Sequence, residues 1–326
     1  MKREVPVAEA IGMVLAHDVT QIIPGEFKGR LFKKGHVIQR EDIEPLLSIG
    51  KANLYVLEPE LDEIHEDEAA QLMAEALLHE SLTMAEAHEG KVALKAKFAG
   101  VLRVHEQRVA ALNAGGELLL ATKGSYVPVN SGETIGVARV IPLLAKEQKL
   151  REFTDLAKAD APVLEVLPYR NVRVGVVTTG SEVYGGLIED KFGPLLQTKL
   201  SVYPVSWVGQ TIVGDEMAAI ASAILDWVDR GVNLVLVTGG MSVDPDDRTP
   251  SAIRSVAHKV VTYGVPMLPG SMLMLAYLAD VTILGLPGGV LYDELTSFDV
   301  ILPRLLAGVR MTPQDVAALG YGGLLK

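Results

Sequence analysis

The stretch VRVGVVTTGSE, residues 172–182, decides the fold of this chain. A near-continuous apolar run ends there in a short loop of small residues. Such a run is typical of a strand that is buried on both faces of a parallel sheet. The pattern occurs twice more, as LVLVTGG at residues 234–240 and as VTILGLPGG at residues 281–289. We therefore predict three buried strands, each followed by a loop of small residues.

Longer amphipathic stretches separate these strands. Residues 188–200 and 216–230 carry helical periodicity, and Asp215 stands where an N-terminal cap of the second helix is expected. A shorter helix is predicted over residues 251–257, with Pro250 in its first turn. Short strands that alternate with helices predict a three-layer α/β domain with a mostly parallel sheet.

The first half of the chain shows a different pattern, which predicts a smaller α+β region. A strand, a helix and a strand are expected between residues 31 and 57, and further short strands between residues 117 and 141. An acidic segment between them has helical periodicity, and we interpret it as a helix with a solvated face that ends at Gly90. We predict two domains, residues 1–160 and residues 161–326. The carboxylates of the acidic segment are Asp62, Glu63, Glu66, Asp67, Glu68, Glu75, Glu80, Glu86 and Glu89.

The composition excludes several classes of function. The chain has 326 residues, with 30 Lys and Arg against 41 Asp and Glu, and a formal net charge of −11. The absence of a basic surplus argues against nucleic acid as a partner. The chain contains no cysteine, which excludes disulfides, iron–sulfur clusters and thiol nucleophiles.

One apolar stretch, residues 270–289, has the length of a membrane span. Asp280 interrupts it, and a charge in mid-span costs about 3 kcal/mol on insertion. We interpret the stretch as a buried helix over residues 272–278, a turn at Asp280 and the third strand. Because the N-terminus also shows no signal peptide, we expect a cytoplasmic protein with no membrane partner.

The three loops of small residues predict where a ligand binds. In a parallel sheet the carboxyl ends of the strands lie at one edge, where loops enter helices whose N-terminal N–H groups attract anions. Glycines let the backbone approach a ligand closely, and hydroxyl groups add hydrogen-bond donors. This combination suits a phosphate and a polar ring. The candidate binding residues are Thr179, Gly180, Ser181, Thr238, Gly239, Gly240, Ser242, Pro287, Gly288 and Gly289.

Carboxylates follow the same loops. Glu182 comes after the first loop and Asp190 lies near the next helix, while Asp244, Asp246 and Asp247 form the run DPDD after the second loop. Carboxylates beside an anion site imply a cation, and Mg²⁺ suits one or two carboxylates together with substrate phosphate. We expect Asp190, Asp247 and Asp244 to bind the metal. Catalysis is assigned to Asp190, Asp247 and Glu182, and a polar turn capped by Asp244 stays the alternative for DPDD.

These motifs resemble the molybdopterin-binding domain shared by molybdopterin adenylyltransferase and molybdopterin molybdenumtransferase, and the resemblance covers residues 172 to about 310. The segment IEDKFGP at residues 188–194 is similar to YEDKSGP of the adenylyltransferase, with Phe192 in place of serine. The pair of motifs TGG at residues 238–240 and DRTP at residues 247–250 is similar to TGG…D-x-TP of the same enzyme.

Other segments look like the molybdenumtransferase. TTGSE at residues 178–182 and TGGMSV at residues 238–243 are similar to its TGDEL and SGGVSVG motifs, and LPGG differs from its LPGN loop only at Gly289. Residues 5–20 look like its opening segment. However, PGEFKG follows where that enzyme has SAMDGY, Ser271 replaces the lysine of PGKP, and the usual C-terminal β-domain has no counterpart.

The resemblance implies a domain that binds molybdopterin or adenylylated molybdopterin. It implies Mg²⁺-assisted attack at the phosphoryl link, with AMP release and insertion of molybdate, and association into homo-oligomers. In that role Glu182 contacts the incoming oxyanion, and Asp190 and Asp247 position Mg²⁺ or molybdate.

Three alternatives stay open. The missing lysine and β-domain favour a carrier or sensor of the finished cofactor, which performs no chemistry. The motif at residues 247–250 suggests adenylyl transfer to molybdopterin. A more distant relationship to nucleotide pyrophosphatases would also account for the TGG and aspartate pattern.

Overall fold

The computed structural model describes residues 2–23, 27–57, 60–159, 161–242 and 247–325. The chain forms two compact units. Unit 1 comprises Met1–Phe98, Leu102–Ser125 and Val129–Val166. Unit 2 comprises Ala99–Val101, Tyr126–Pro128 and Leu167–Lys326.

Short strands and four helices make up the described chain as far as residue 168. The strands are β1 (Lys2–Pro6), β2 (Val14–Leu15), β3 (Val19–Ile23), β4 (Phe27–Phe32), β5 (Asn53–Leu57), β6 (Glu63–His65), β7 (Leu82–Met84), β8 (Lys91–Ala96), β9 (Gly100–Val104), β10 (Leu118–Thr122), β11 (Pro128–Val129), β12 (Thr134–Val140), β13 (Leu144–Lys146) and β14 (Leu164–Pro168). The helices are α1 (Ile43–Ser48), α2 (Glu66–Leu77), α3 (Glu106–Asn113) and α4 (Glu147–Lys158).

Unit 1 contains several small antiparallel sheets. Their strand orders are β1-β5-β2, β3-β4, β10-β12-β8-β7 and β13-β6. The predicted strand, helix and strand before residue 57 are confirmed by β4, α1 and β5. The α+β character predicted for this half is therefore confirmed.

The acidic helix is shorter than predicted. It ends at Leu77 instead of Gly90, because Leu78 leaves the helical region of backbone angles. The chain then forms β7, whose residues Leu82 to Met84 pair with β8. Gly90 lies in the turn before β8 with φ at +66°. Pairing between strands therefore prevailed over the helical periodicity of the second half of this segment.

Unit 2 is built on a six-stranded sheet with the order β16-β15-β17-β20-β19-β18. The first four strands in this order are parallel, and the last two are antiparallel to their neighbours. The strands are β15 (Val172–Thr179), β16 (Val205–Val213), β17 (Leu234–Thr238), β18 (Lys259–Tyr263), β19 (Met274–Leu278) and β20 (Val281–Leu286). The helices are α5 (Ser181–Tyr184), α6 (Phe192–Leu200), α7 (Met217–Asp229), α8 (Thr249–Val256), α9 (Ser297–Leu306) and α10 (Pro313–Ala318).

Helices cover both faces of this sheet. Leu234 and Leu236 of β17 belong to one core together with residues of α6, α9 and α10. Val235 and Val237 point to the opposite face and belong to a second core with residues of α7 and α8. The alternation of side chains along a strand accounts for this division. The predicted three-layer α/β domain is confirmed, and so are its three buried strands.

The helix predicted over residues 272–278 is wrong. Met274–Leu278 forms β19, which pairs with β18 on one side and β20 on the other. A short run that is apolar on every face has no periodicity, so the sequence pattern could not separate a buried helix from a buried strand. The helix predicted from residue 188 begins only at Phe192. No helix in the described ranges is long and apolar enough to cross a membrane.

Candidate functional site

A cleft opens at the carboxyl edge of the parallel strands of unit 2. Thr238 of β17 pairs with Thr178 of β15 on one side and with Leu286 of β20 on the other, so the three strands end at one level. The cleft has a volume of about 520 Å³, which lies in the range of small-molecule sites. We call it the glycine-lined cleft. The predicted residues that line it are Gly239, Gly240, Ser242, Asp247, Pro287, Gly288 and Gly289.

The two glycines after β17 are required by the packing of the loop. A Cβ atom on Gly239 would stand 2.2 Å from the carbonyl oxygen of Thr179, and its φ is +85°. Gly240 also has a positive φ, of +53°, and a Cβ atom there would meet the Thr249 hydroxyl at 3.0 Å. At residue 239, only glycine avoids both a clash and backbone strain. The TGG motif is thus explained by the close approach of two loops.

Thr179 and Thr238 of the predicted site bond to other threonines and do not line the cleft. Thr238 is fully buried, and its hydroxyl donates to that of Thr178 at 3.1 Å. The hydroxyls of Thr179 and Thr249 are 3.2 Å apart. These bonds tie the ends of β15, β17 and α8 together. The hydroxyl groups therefore hold the loops in place.

The first loop is held by a carboxylate from the segment between β16 and α7. The backbone N–H of Ser181 donates to Asp215 Oδ2 at 2.7 Å. The expectation that Asp215 caps its own helix is wrong, because Glu216 is the N-terminal cap of α7. Gly180 and Ser181 are not among the residues that line the cleft, and Glu182 is exposed to solvent outside it.

Asp190 organises the start of α6. Its two carboxylate oxygens accept the backbone N–H groups of Phe192 at 2.9 Å and Gly193 at 3.0 Å. Gln210 donates to the same carboxylate at 2.6 Å and to Thr178 Oγ1 at 2.8 Å. These bonds connect the helix to the edge strand β16 and its neighbour β15, and Phe192 lies on the wall of the cleft.

Asp247 provides the carboxylate that lines the cleft in the described part of unit 2. Its Oδ2 atom accepts the backbone N–H of Ser242 at 2.7 Å and so closes the loop between them. Asp244, which we expected to bind metal, lies outside the described residues. The described residues contain no group of three or more His, Asp or Glu side chains that could hold a metal ion. A cation here would need further oxygen ligands from the bound molecule.

Tyr263 does not line the cleft but bonds to two residues that do, and sequence reasoning missed it. Its hydroxyl donates to the carbonyl oxygens of Met241 at 3.2 Å and Ser242 at 3.1 Å, and the Arg254 guanidinium stacks on its ring. Burial, followed by the charge of Asp247, raises the pKa of Tyr263 above its usual value. An isolated tyrosine on an edge strand carries no pattern that marks it as functional.

The structure adds further residues to the cleft. Ser271 and Met272 line it. The sequence offered one signal for them, because they stand where the molybdenumtransferase has the last two residues of its PGKP motif. Tyr292, which is 86% exposed, also lines it, as do Met241 and Leu291. No motif pointed to Tyr292.

Comparison with known families agrees with this geometry. Residues 175–307 match a family described as "Probable molybdopterin binding domain". This segment is similar to that domain family. The resemblance over residues 172 to about 310 is therefore confirmed. Residues 4–58 match a domain of unknown function (DUF8806).

Individual relatives match parts of this chain. A molybdenum cofactor biosynthesis bifunctional protein of Synechococcus elongatus is 40% identical over 78 residues, which are 24% of this chain and 24% of that protein. A CinA-like protein of Mycobacterium tuberculosis is 32% identical over 83 residues, which are 26% of this chain and 19% of that protein. The chain thus matches about a quarter or less of the length of these relatives.

Among solved structures, the molybdopterin biosynthesis enzyme MoaB from Thermus thermophilus is similar. It has 26% sequence identity and a TM-score of 0.38, and the alignment covers 42% of this chain and 97% of MoaB.

Proposed function

We propose that unit 2 binds molybdopterin or adenylylated molybdopterin in the glycine-lined cleft and inserts molybdate with release of AMP. The observation that carries this proposal is the cleft itself. It lies at the carboxyl edge of parallel strands, it is built from two glycine pairs, and Asp247 is its carboxylate. A ligand that combines a polar ring with phosphate suits such a cleft.

The glycine pairs supply the binding surface. Gly239 and Gly240 on one side, and Gly288 and Gly289 on the other, present backbone without side chains. Backbone groups can therefore approach phosphate oxygens closely, as in other loops that bind phosphate. Tyr263 would keep the Met241 and Ser242 carbonyls fixed while a ligand binds. Phe192 and Tyr292 would cover the ring of the pterin from the walls of the cleft.

Mg²⁺ fits the donors that are present. Asp247 offers a hard oxygen ligand, and the ligand's phosphates would supply the others, which is the usual arrangement for this ion. The ion would offset the negative charge that develops on the leaving AMP. Asp247 would thus act at the metal, while the bonds of Asp190 suit a residue that positions α6.

AMP release tests this function. Purified protein is incubated with adenylylated molybdopterin, molybdate and Mg²⁺, and both AMP and active cofactor are measured. We expect release of AMP to be coupled to molybdenum insertion, and Asp247→Asn to lower the rate more than tenfold. Asp226→Asn, at an exposed position of α7, is the matched control and should keep the wild-type rate. Full activity of the Asp247→Asn variant would contradict the proposal.

A second candidate is a carrier or sensor of the finished cofactor. Ser271, which stands in the cleft where the molybdenumtransferase has lysine, favours it. This function predicts tight binding of the cofactor without a requirement for Mg²⁺ and without AMP release. Adenylyl transfer would show itself as consumption of ATP in the presence of molybdopterin. The same incubation separates the first two functions, and a second incubation with molybdopterin and ATP tests the third.

A further inference from the structure

Unit 1 contains a second cleft, which no motif predicted. It has a volume of about 880 Å³ and lies among β4, β6, β8, the start of α2 and the segment after β12. We call it the charged cleft, because nine ionisable side chains line it. They are Asp18, Arg30, Lys33, Lys34, Glu63, Glu66, Glu89, Lys91 and Arg139.

Glu66 is the unusual member of this set. It is only 7% exposed, although it is charged in its ordinary state and is the first residue of α2. Its carboxylate forms no hydrogen bond or ion pair in the part of the chain that the structure describes, although the charges of His65 and Arg139 act on it at longer range. Among the described residues, the fully buried side-chain atoms that lack a hydrogen-bond partner do not include its oxygens. The carboxylate therefore opens onto the cleft, where a bound molecule can reach it.

Two glycine turns hold the Glu66 side chain in this position. A Cβ atom on Gly35 would stand 3.2 Å from Glu66 Oε1, and one on Gly90 would stand 2.9 Å from Oε2. His65 Nε2 lies 2.7 Å from the carbonyl oxygen of Gly35, and Asp67 accepts the backbone N–H of Gly90 at 2.7 Å. The residues on either side of Glu66 thus fix both turns around the carboxylate.

The remainder of the cleft has an excess of cations. Lys33 and Lys91 share the single carboxylate of Glu89, with Lys91 at 3.9 Å. Arg139 donates to the backbone carbonyl of Glu89, so its charge is not neutralised there. The ammonium group of Lys34 has no partner among the described residues. These cations provide an attractive surface for an anion such as phosphate.

The raised pKa of Glu66 agrees with a carboxylate that lacks hydrogen-bond donors. Burial is the main cause that raises the pKa of Glu66, and the neighbouring charge of Asp67 adds to it. Two parallel N–H donors would reach both carboxylate oxygens at once, whereas a single ammonium group would reach one.

We propose that the charged cleft binds a phosphorylated small molecule with a 2-amino-4-oxopyrimidine ring. The ring's paired N–H groups meet both oxygens of Glu66, and the phosphate meets Lys34, Lys91 and Arg139. Guanine nucleotides and phosphorylated pterins share this chemistry. The proposal is independent of the function proposed for unit 2, because every residue that carries it belongs to unit 1.

Calorimetric titration of the full-length protein tests this site. The probes are GMP, 6-hydroxymethylpterin phosphate, AMP, guanosine and inorganic phosphate. We expect GMP or the pterin phosphate to bind at least about tenfold more tightly than AMP, since adenine lacks the paired donors. Guanosine and phosphate should each bind more weakly than the molecule that joins the two parts. Whichever of GMP and the pterin phosphate binds more tightly identifies the source of the ring.

Matched variants locate the binding. Glu66→Gln keeps the shape of the side chain but replaces one acceptor by a donor, and we expect it to weaken binding at least about tenfold. Lys34→Met, at the rim of the cleft, should weaken binding by about threefold to tenfold without affecting folding. Glu68→Gln, an exposed position in the same turn of α2, is the control and should bind like the wild type.

Three results would overturn the proposal. They are a wild-type protein that binds neither GMP nor the pterin phosphate, equal binding of AMP and GMP, and wild-type affinity in both Glu66→Gln and Lys34→Met. Thermal unfolding of each variant shows whether it is still folded, so a loss of binding can be distinguished from unfolding. None of these results alters AMP release by unit 2, so failure here and failure of the function proposed for unit 2 can be told apart.

Discussion

The two clefts of this protein are built in opposite ways. The glycine-lined cleft of unit 2 consists mainly of backbone and has Asp247 as its carboxylate among the described residues. The charged cleft of unit 1 consists mainly of long ionised side chains around one buried carboxylate. In the first, the approach of a ligand depends on the absence of Cβ atoms. In the second, it depends on charges that are only partly neutralised.

This difference explains why the sequence predicted the glycine-lined cleft and not the charged cleft. Close approach of backbone requires glycine at adjacent positions, as at Gly239 and Gly240, so the signal is a short motif. The charged cleft draws on residues as far apart as Asp18 and Arg139, and each is an ordinary surface residue type. The glycine-lined cleft should therefore be sensitive to added side-chain volume. The charged cleft should be sensitive to pH and to changes in the charge of its side chains.

The largest effect is expected from Gly239→Ala. The new methyl group would clash with the Thr179 carbonyl, and its φ of +85° would be strained. We expect a loss of about 3 kcal/mol or more in the free energy of unfolding, together with loss of ligand binding by unit 2. Urea-induced unfolding and ligand titration measure the two effects.

Gly231→Ala is the control for this clash. Gly231 has a similar φ of +74°, but no atom lies within 4 Å of the position that a methyl group would take. The substitution should cost only the strain of the backbone, about 1 kcal/mol, and leave ligand binding unchanged. Equal losses in both variants would mean that strain alone, and not the close approach of the loops, requires glycine at residue 239.

The second effect concerns Asp190, which we expected from sequence to bind metal. Asp190→Asn replaces one acceptor oxygen by a donor and should lower the free energy of unfolding by about 2 kcal/mol, because a bond to Phe192 or Gly193 is lost. If Asp190 only positions α6, the Mg²⁺ concentration for half-maximal AMP release stays within about twofold of the wild type. A rise above tenfold would instead make it a metal ligand.

The third effect is a pH dependence that belongs to the charged cleft. Burial raises the pKa of Glu66, so the folded protein binds this proton more tightly than the unfolded chain does. Stability must then fall as pH rises from the ordinary pKa of glutamate through the raised one, and level off above it. Each unit of the shift corresponds to about 1.4 kcal/mol.

Glu66→Gln removes this dependence. The variant should be more stable than the wild type at pH 8, and the difference should shrink towards pH 4, as urea-induced unfolding at each pH would show. Glu68→Gln should show no such trend. A difference that is constant with pH would contradict the burial of an ionised Glu66 as its cause.

The smallest effect is expected from Tyr263→Phe. Loss of the hydroxyl frees the Met241 and Ser242 carbonyls and should cost about 1 kcal/mol, with a decrease of about threefold to tenfold in ligand affinity. Tyr277→Phe loses a buried hydroxyl that accepts the N–H of Met311, which does not line the cleft. It should lower stability to a similar extent and leave affinity unchanged. Equal affinities of the two variants would remove Tyr263 from the site.

Much of unit 2 could be predicted because its signals are local. Apolar runs that end in small residues marked β15, β17 and β20, and Pro250 marked the first turn of α8. By contrast, Met274–Leu278 is a strand where the pattern predicts a helix, because a run buried on every side has no periodicity. The edge strand β18 and the long strand β16 carried no comparable signal.

The sequence by itself determined the α/β class of unit 2, the level at which its strands end and the glycines of its cleft, since each follows from residue type and short spacing. Only the tertiary structure decided where the polar side chains point. It turned Thr178 and Thr238 towards each other, placed Asp215 beside the first loop, and joined Asp190 to Gln210 of β16. It also buried Glu66 between two glycine turns. These outcomes depend on which distant segments pack together, and hydrogen-bond partners that lie tens of residues apart leave no pattern in the order of the chain.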